Sequence, residues 1–150
     1  MTLQIRKILC PTDFSPLSEE GLHYGIELAQ KLGAQIRVIH AYGLPTYFAL
    51  PEAAVIPSAD YAAARSVALQ DLLDSTLASH EAAGVQMDSV LRLGVVHDEI
   101  VGEAERWNAD MIVVSSHGHT GLAHVILGSV AERVVRLAHC PVLVVRKKPA

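Results

Sequence analysis

Apolar residues recur along this chain in two textures, short continuous runs and longer stretches with a helical period. Ile5-Arg6-Lys7-Ile8-Leu9-Cys10 reads as a buried strand that ends in the turn Pro11-Thr12-Asp13-Phe14. Ser15 then stands where a helix N-cap belongs, with Pro16 at the first helical position and Glu19 and Glu20 in the first turn. Leu17, Gly21, Tyr24, Leu28 and Leu32 fall on one helical stripe, and Gly33 closes it. Gln35 to Ala41 reads as the second strand, 58 to 83 as a second helix closed by Gly84, and Val85 to Leu93 as the third strand. Asp98 to Trp107 predicts a third helix, Met111 to Ser115 a fourth strand, Ser129 to His139 a last helix and Val142 to Arg146 a fifth strand. Strands alternating with helices of about ten or more residues indicate a doubly wound α/β fold, an open parallel sheet with helices on both faces.

Residues 42 to 57 have no clear period. Pro45, Pro51 and Pro57 punctuate them, yet Tyr47, Phe48, Leu50, Val55 and Ile56 make the segment apolar for a loop. It reads either as a connection packed on the domain edge or as a lid or partner contact. The 150 residues suffice for one domain, and with 51% apolar residues there is ample material for a core, which excludes a disordered chain. The apolar runs stop well short of the roughly 20 residues a membrane span needs. No basic-then-apolar leader opens the chain, so no signal peptide is expected. A net charge of -4 argues against general nucleic-acid binding. Cys10 and Cys140 lie far apart, form no metal-type pair and fit small buried hydrophobes in a reduced, cytoplasmic protein.

The candidate chemistry concentrates after the fourth strand, in Ser115-Ser116-His117-Gly118-His119-Thr120-Gly121, followed by Gly128-Ser129 at the start of the last helix. Ligands of doubly wound sheets bind outside the carboxyl ends of strands. Glycines let backbone N–H groups converge on phosphate oxygens, and a helix N-terminus favours an anion. No Gly-Lys-Ser/Thr is present, and no lysine occurs between Lys31 and Lys147. A phosphate would therefore rest on amides, hydroxyls and Arg133, with a divalent cation sharing the charge.

The chain resembles the universal stress protein family over nearly all its length. The resemblance is carried by Lys7-Ile8-Leu9-Cys10-Pro11-Thr12-Asp13-Phe14-Ser15, Val38-Ile39-His40 and Ala109-Asp110-Met111-Ile112-Val113-Val114. Gly128-Ser129-Val130-Ala131-Glu132-Arg133-Val134 leading to Cys140-Pro141-Val142-Leu143-Val144-Val145 is its most specific part. It implies one domain over residues 1–150, a five-stranded sheet in the order 3-2-1-4-5, and a cytoplasmic stress-response role. The family's nucleotide-binding branch carries a glycine, two residues, a glycine, nine residues, then Gly-Ser or Gly-Thr. Gly118, Gly128 and Ser129 match it, whereas Ser115 occupies the first glycine position. The implied ligand is ATP with Mg²⁺ or Mn²⁺, held by Pro11, Thr12, Asp13, Ala41, Ser115, His117, Gly118, Gly128, Ser129 and Val130. In the strand order of the family, strands 1 and 4 are neighbours, so Asp13 and the Ser115 to Gly118 loop would face one crevice.

Plainer roles compete at several positions. Asp13 either reaches a ligand or braces its turn, and Ser129 with Glu132 spells a capping box. His117, His119 and His124 lack a carboxylate or cysteine partner, and no metal ligand is expected among them. Ser115, Ser116 and His117 lack a Gly-x-Ser-x-Gly elbow, which argues against a serine hydrolase. The function expected is an ATP-binding regulatory protein with little or no turnover. A nucleotide-free structural homodimer and a slow ATP hydrolase are the alternatives. Homodimerisation is expected through the apolar edge strand Val142 to Val145.

Overall fold

The computed structural model describes residues 2–43, 58–118 and 127–147. It contains β1 (Lys7–Pro11), α1 (Pro16–Leu32), β2 (Gln35–Tyr42), α2 (Ala59–Ser79), β3 (Met87–Leu93), α3 (Val96–Trp107), β4 (Met111–Ser115), α4 (Ser129–Leu137) and β5 (Val142–Val145). The five strands form one parallel sheet in the order β3-β2-β1-β4-β5. Apart from Tyr42 and Gly43, the aperiodic segment 42–57 lies outside the described residues, as do His119, Thr120, Gly121 and His124. Among the described residues, no helix is long and apolar enough to cross a membrane.

Side chains alternate across the sheet and feed two cores. Ile8, Cys10, Ile36, Val38 and Val113 face α1 and α2, where Leu22, Ile26, Ala29 and Leu73 cover them. Leu9, Ile39, Ala41, Ile112 and Val114 face α3 and α4, where Ile100, Ala104, Ala131 and Val134 complete the layer. Strands buried on both faces explain the continuous apolar runs in the sequence.

The caps of α1 form as the sequence predicts. Ser15 Oγ accepts from the Ser18 amide at 3.2 Å, and Gly33 ends the helix with φ 67°. The buried face is different from the expected stripe. Ser18, Gly21, Leu22, Gly25, Ile26 and Ala29 pack inward, while Tyr24 and Leu32 are about half exposed, at 50% and 47%. Small residues decide this contact, because they let the helix backbone settle close to the sheet. A Cβ on Gly25 would stand 2.7 Å from Cys10 Sγ. Burial pushes that thiol up to about 12, so Cys10 is an inert core group. Cys140 is only half-buried.

The second helical stretch is shorter than its periodicity suggests. α2 stops at Ser79, His80 caps it, and Glu81–Ala83 form a single 3-10 turn before Gly84 at φ 70°. The third strand starts at Met87, α3 starts at Val96, and α4 ends at Leu137. On the outer side of β2 and β3, Glu103 of α3 is buried, with 2% of its side chain exposed, and receives Arg37 at 3.0 Å, Arg92 at 3.0 Å and Arg106 at 3.1 Å. Burial by itself would raise the Glu103 carboxyl, but the hydrogen bonds from Arg106, Arg37 and Arg92 outweigh it and hold the group below the usual glutamate range.

Candidate functional site

The crevice is built where the sheet order reverses, between the carboxyl ends of β1 and β4. Beyond β1 the chain makes a tight turn held by its own side chains. The Phe14 amide donates to Thr12 Oγ1 and the Ser15 amide to Asp13 Oδ1, both at 3.0 Å. Phe14 has φ 64°, an unusual backbone region for a bulky side chain, and its ring rests 4.6 Å from that of His40. The Thr12 amide donates to the Ile39 carbonyl at 2.8 Å. The Thr12 carbonyl can only accept, so the 2.7 Å contact from His40 places a hydrogen on Nδ1. Burial lowers the His40 pKa against the opposing effects of Thr12 and Asp13, which favours the neutral ring.

Beyond β4 the turn is equally pinned. The Ser116 amide donates to the Val145 carbonyl at 2.8 Å, and the Gly128 amide to the Ser116 carbonyl at 2.6 Å. Ser115 Oγ donates to the His117 carbonyl at 3.1 Å, and Ser116 Oγ contacts His117 Nδ1 at 3.1 Å. His117 Nε2 is buried without a hydrogen-bond partner among the described residues. A buried polar atom left in this state needs an explanation, and a ligand in the crevice would supply one.

The two turns enclose a cavity of about 410 Å³, within the range of small-molecule sites. Pro11, Thr12 and Asp13 contribute from β1 and its turn, and Ala41 from β2. Ser115, His117 and Gly118 line it from the β4 side, and Gly128, Ser129 and Val130 from the start of α4. All ten residues singled out from the sequence therefore line one space. The apolar floor was not anticipated. Ile39, Val96, Ile100, Val114, Leu127 and Ala131 form it, with Ser18 and Ser116 as further polar lining.

Two lining glycines are tightly placed, and the constraint on them is space, not backbone conformation. A Cβ on Gly118 would overlap Asp13 Oδ2 and approach its Cγ to 3.1 Å. At Gly128 it would meet the Ser116 carbonyl oxygen at 3.1 Å. Gly128 is itself the N-cap of α4, with no side-chain cap bond. Ser129 is consequently the first helical residue, and the capping box read from Ser129 and Glu132 does not form. Glu132 pairs instead with Arg136 at 2.6 Å. Ser129 and Val130 of this first turn line the cavity. Arg133 is exposed and does not line the cavity.

The arrangement can hold a ligand with an apolar body and an anionic end. Ser116 is buried, and its Oγ contacts His117 Nδ1 at 3.1 Å.

The model of the universal stress protein family matches residues 4–146. Universal stress protein MJ0531 of Methanocaldococcus jannaschii is 36% identical over 142 residues, which cover 95% of this chain and 82% of that protein. The solved structure of MJ0577, a universal stress protein from the same organism, superposes with a TM-score of 0.80 at 25% identity, covering 98% of this chain and 99% of that one. A universal stress protein solved in complex with cAMP shares the fold at a TM-score of 0.70 and 23% identity, covering 97% and 99% of the two chains. With the strand order, the crevice and the sequence likeness in agreement, the chain belongs to the universal stress protein family.

Proposed function

We propose that the crevice binds an adenine nucleotide, ATP foremost, together with Mg²⁺ or Mn²⁺, and that the protein acts as a cytoplasmic stress-response regulator with little or no turnover. The observation that carries this reading is the polarity of the cavity. Its floor of Ile39, Ile100, Val114 and Ala131 suits a flat base and sugar edge, and its rim suits phosphates. At the rim, Gly118 and Gly128 leave no Cβ over the backbone, and the α4 amides at Ser129 and Val130 have no side-chain cap. Such amides favour an anion. His117 Nε2 is available to bond the ligand.

The charge of a triphosphate exceeds what these dipoles neutralise, and no lysine or arginine lines the cavity among the described residues. A divalent cation supplies the missing charge when bound, and it takes oxygen ligands, of which the Asp13 carboxylate is the charged one here. Asp13 then has two duties, bracing its turn through Ser15 and facing the cation. The relative solved with cAMP supports an adenine nucleotide as the ligand class.

Mass spectrometry of small molecules released from protein purified under native conditions tests the proposal. ATP is expected, and release of cAMP or another monophosphate alone would replace ATP as the occupant. Calorimetry should show affinity lost in excess EDTA. Phosphate release should stay far below the roughly 1 s⁻¹ of slow ordinary enzymes.

We also infer a homodimer through β5. This strand ends the sheet, and its outer side joins Glu20, Tyr24, Arg146 and Lys147 in a shallow groove. Antiparallel pairing of two copies would cover both edges at once. Light scattering that shows only monomer at micromolar concentration would refute the pairing.

A further inference from the structure

Away from the crevice, α1 and the end of α2 bring together two imidazoles and a carboxylate. Glu19 and His23 lie one turn apart on α1 and project from the same side. His80 caps α2 and faces them across the helix pair. His80 Nε2 stands 2.5 Å from Glu19 Oε1, and His23 Nε2 stands 3.6 Å from the same oxygen. The two imidazole rings meet edge to face at 4.7 Å. One ligand atom from each of the three residues lies within 4.8 Å of the others, the only such cluster among the described residues.

We propose that Glu19, His23 and His80 form a binding site for a borderline divalent metal ion, Zn²⁺ foremost, that clips α1 to α2. The donor set carries the choice of metal. Two imidazole nitrogens and one carboxylate oxygen suit zinc, whereas Mg²⁺ and Ca²⁺ take oxygen ligands. Zinc bonds of about 2.0–2.1 Å in a tetrahedron set donor atoms about 3.3 Å apart. The Glu19–His80 pair must open slightly and His23 must draw in slightly, both within side-chain rotation. His23 is 60% exposed and free to make that adjustment.

The framework is already held. His80 sits in a turn whose amides bond Leu77 and His80 carbonyls, and Gln30 of α1 donates to the Ala83 carbonyl at 3.0 Å. Three protein ligands leave a fourth position for water or an outside donor. The site is separate from the nucleotide crevice and does not depend on its occupancy, since none of the three residues lines that cavity.

The test uses the full chain, stripped with chelator, titrated with Zn²⁺ and separately with Co²⁺ at neutral pH. The parent should retain one equivalent of zinc through desalting, and its Co²⁺ form should show the intense visible bands of tetrahedral coordination. His23→Ala, Glu19→Gln and His80→Ala should each weaken zinc binding by more than about tenfold, the low end of what even outer-shell partners contribute. His23→Ala is the decisive variant, because an exposed side chain is removed and the melting curve without metal should match the parent. Zinc should raise the parent's melting temperature and leave that of His23→Ala unchanged. The proposal is overturned if the parent retains no zinc. It is equally overturned if His23→Ala binds as the parent does, or if zinc is lost with His117→Ala and kept in His23→Ala.

Discussion

Gly118→Ala probes the crevice most directly, because the added methyl has a specific obstacle. Its carbon would overlap Asp13 Oδ2 and lie 3.1 Å from Cγ, so Asp13 must turn away or the loop must lift. If Asp13 turns, it gives up the 3.0 Å bond from the Ser15 amide, in a turn where Ser15 is buried. A hydrogen bond to a charged acceptor contributes about 1.5–3 kcal/mol. Replacing glycine returns about 0.4–1 kcal/mol through the unfolded chain. Gly118→Ala should therefore destabilise the fold by about 1–2 kcal/mol in urea melts. Asp13→Ala loses the same bond without the overlap, so the double variant should be about 0.4–1 kcal/mol more stable than Asp13→Ala alone, a non-additive result. Nucleotide affinity should follow a different rule. Both single variants should weaken ATP binding with Mg²⁺ by tenfold or more, about 1.4 kcal/mol, and the double variant should not recover it. Additive stabilities would refute the contact between Asp13 and Gly118. Unchanged affinity in all three variants would remove the nucleotide from this crevice.

Ser115→Gly should leave ATP affinity unchanged or slightly better by calorimetry, while the lost hydroxyl bond and the added chain freedom lower stability by about 1–2 kcal/mol. A large loss of affinity would contradict this. Glu103→Gln should destabilise by about 2–3 kcal/mol in thermal or urea melts. That is below the 3–5 kcal/mol of a fully buried pair, because Arg92 and Arg106 reach water. The Glu103 carboxyl is depressed in the fold, so its contribution is present above the ordinary glutamate value of about 4.3 and is lost as the pH falls through the lower folded value. The parent and Glu103→Gln should accordingly converge in stability on acidification, and curves that stay parallel would contradict the assignment. Gly25→Ala should cost about 1–3 kcal/mol through the 2.7 Å approach to Cys10 Sγ, and Cys10→Ala in the same chain should relieve part of it.

The fold was legible where burial leaves a simple trace. Strands covered by helices on both faces carry continuous apolar runs, and the run Met111 to Val114 with Ser115 matches β4 to the residue. Ser15 and Gly33 mark the ends of α1 because caps answer to local backbone groups. The buried face of α1 was misread, since hydropathy gives weight to Tyr24 and Leu32, while the contact is made by Ser18, Gly21, Gly25 and Ala29. Glu103 gave no signal. Its arginines come from β2, β3 and its own helix, and only the folded sheet brings them together. The same holds for His80, which meets Glu19 across 61 residues of sequence.

The crevice was legible for a topological reason, because loops after adjacent central strands must meet at the reversal of strand order. The glycine loop and the family resemblance, the latter for Asp13 and Ala41, pointed to the residues of its rim, and neither pointed to its floor. Ile39, Ile100 and Val114 carry the ordinary signature of core residues, and nothing in their type shows that they border a cavity. The surroundings of Ser115, where the sequence reading expects a glycine, follow from the same sheet geometry. Met111 and Val113 face α1, so by the alternation of a strand Ser115 turns the same way. There it meets Gly21, where a Cβ would stand 3.6 Å from the Ser115 Cβ, so the helix has room for the serine side chain. Its hydroxyl returns to the His117 carbonyl and holds the residues just beyond β4. A serine at this position adds bulk on the helix side of the sheet, whereas the glycines at 118 and 128 keep the rim open. The two kinds of position in the motif therefore carry unequal constraints. A side chain is accommodated where the strand pleat directs it toward α1, and is crowded where a Cβ would meet Asp13 or the Ser116 carbonyl.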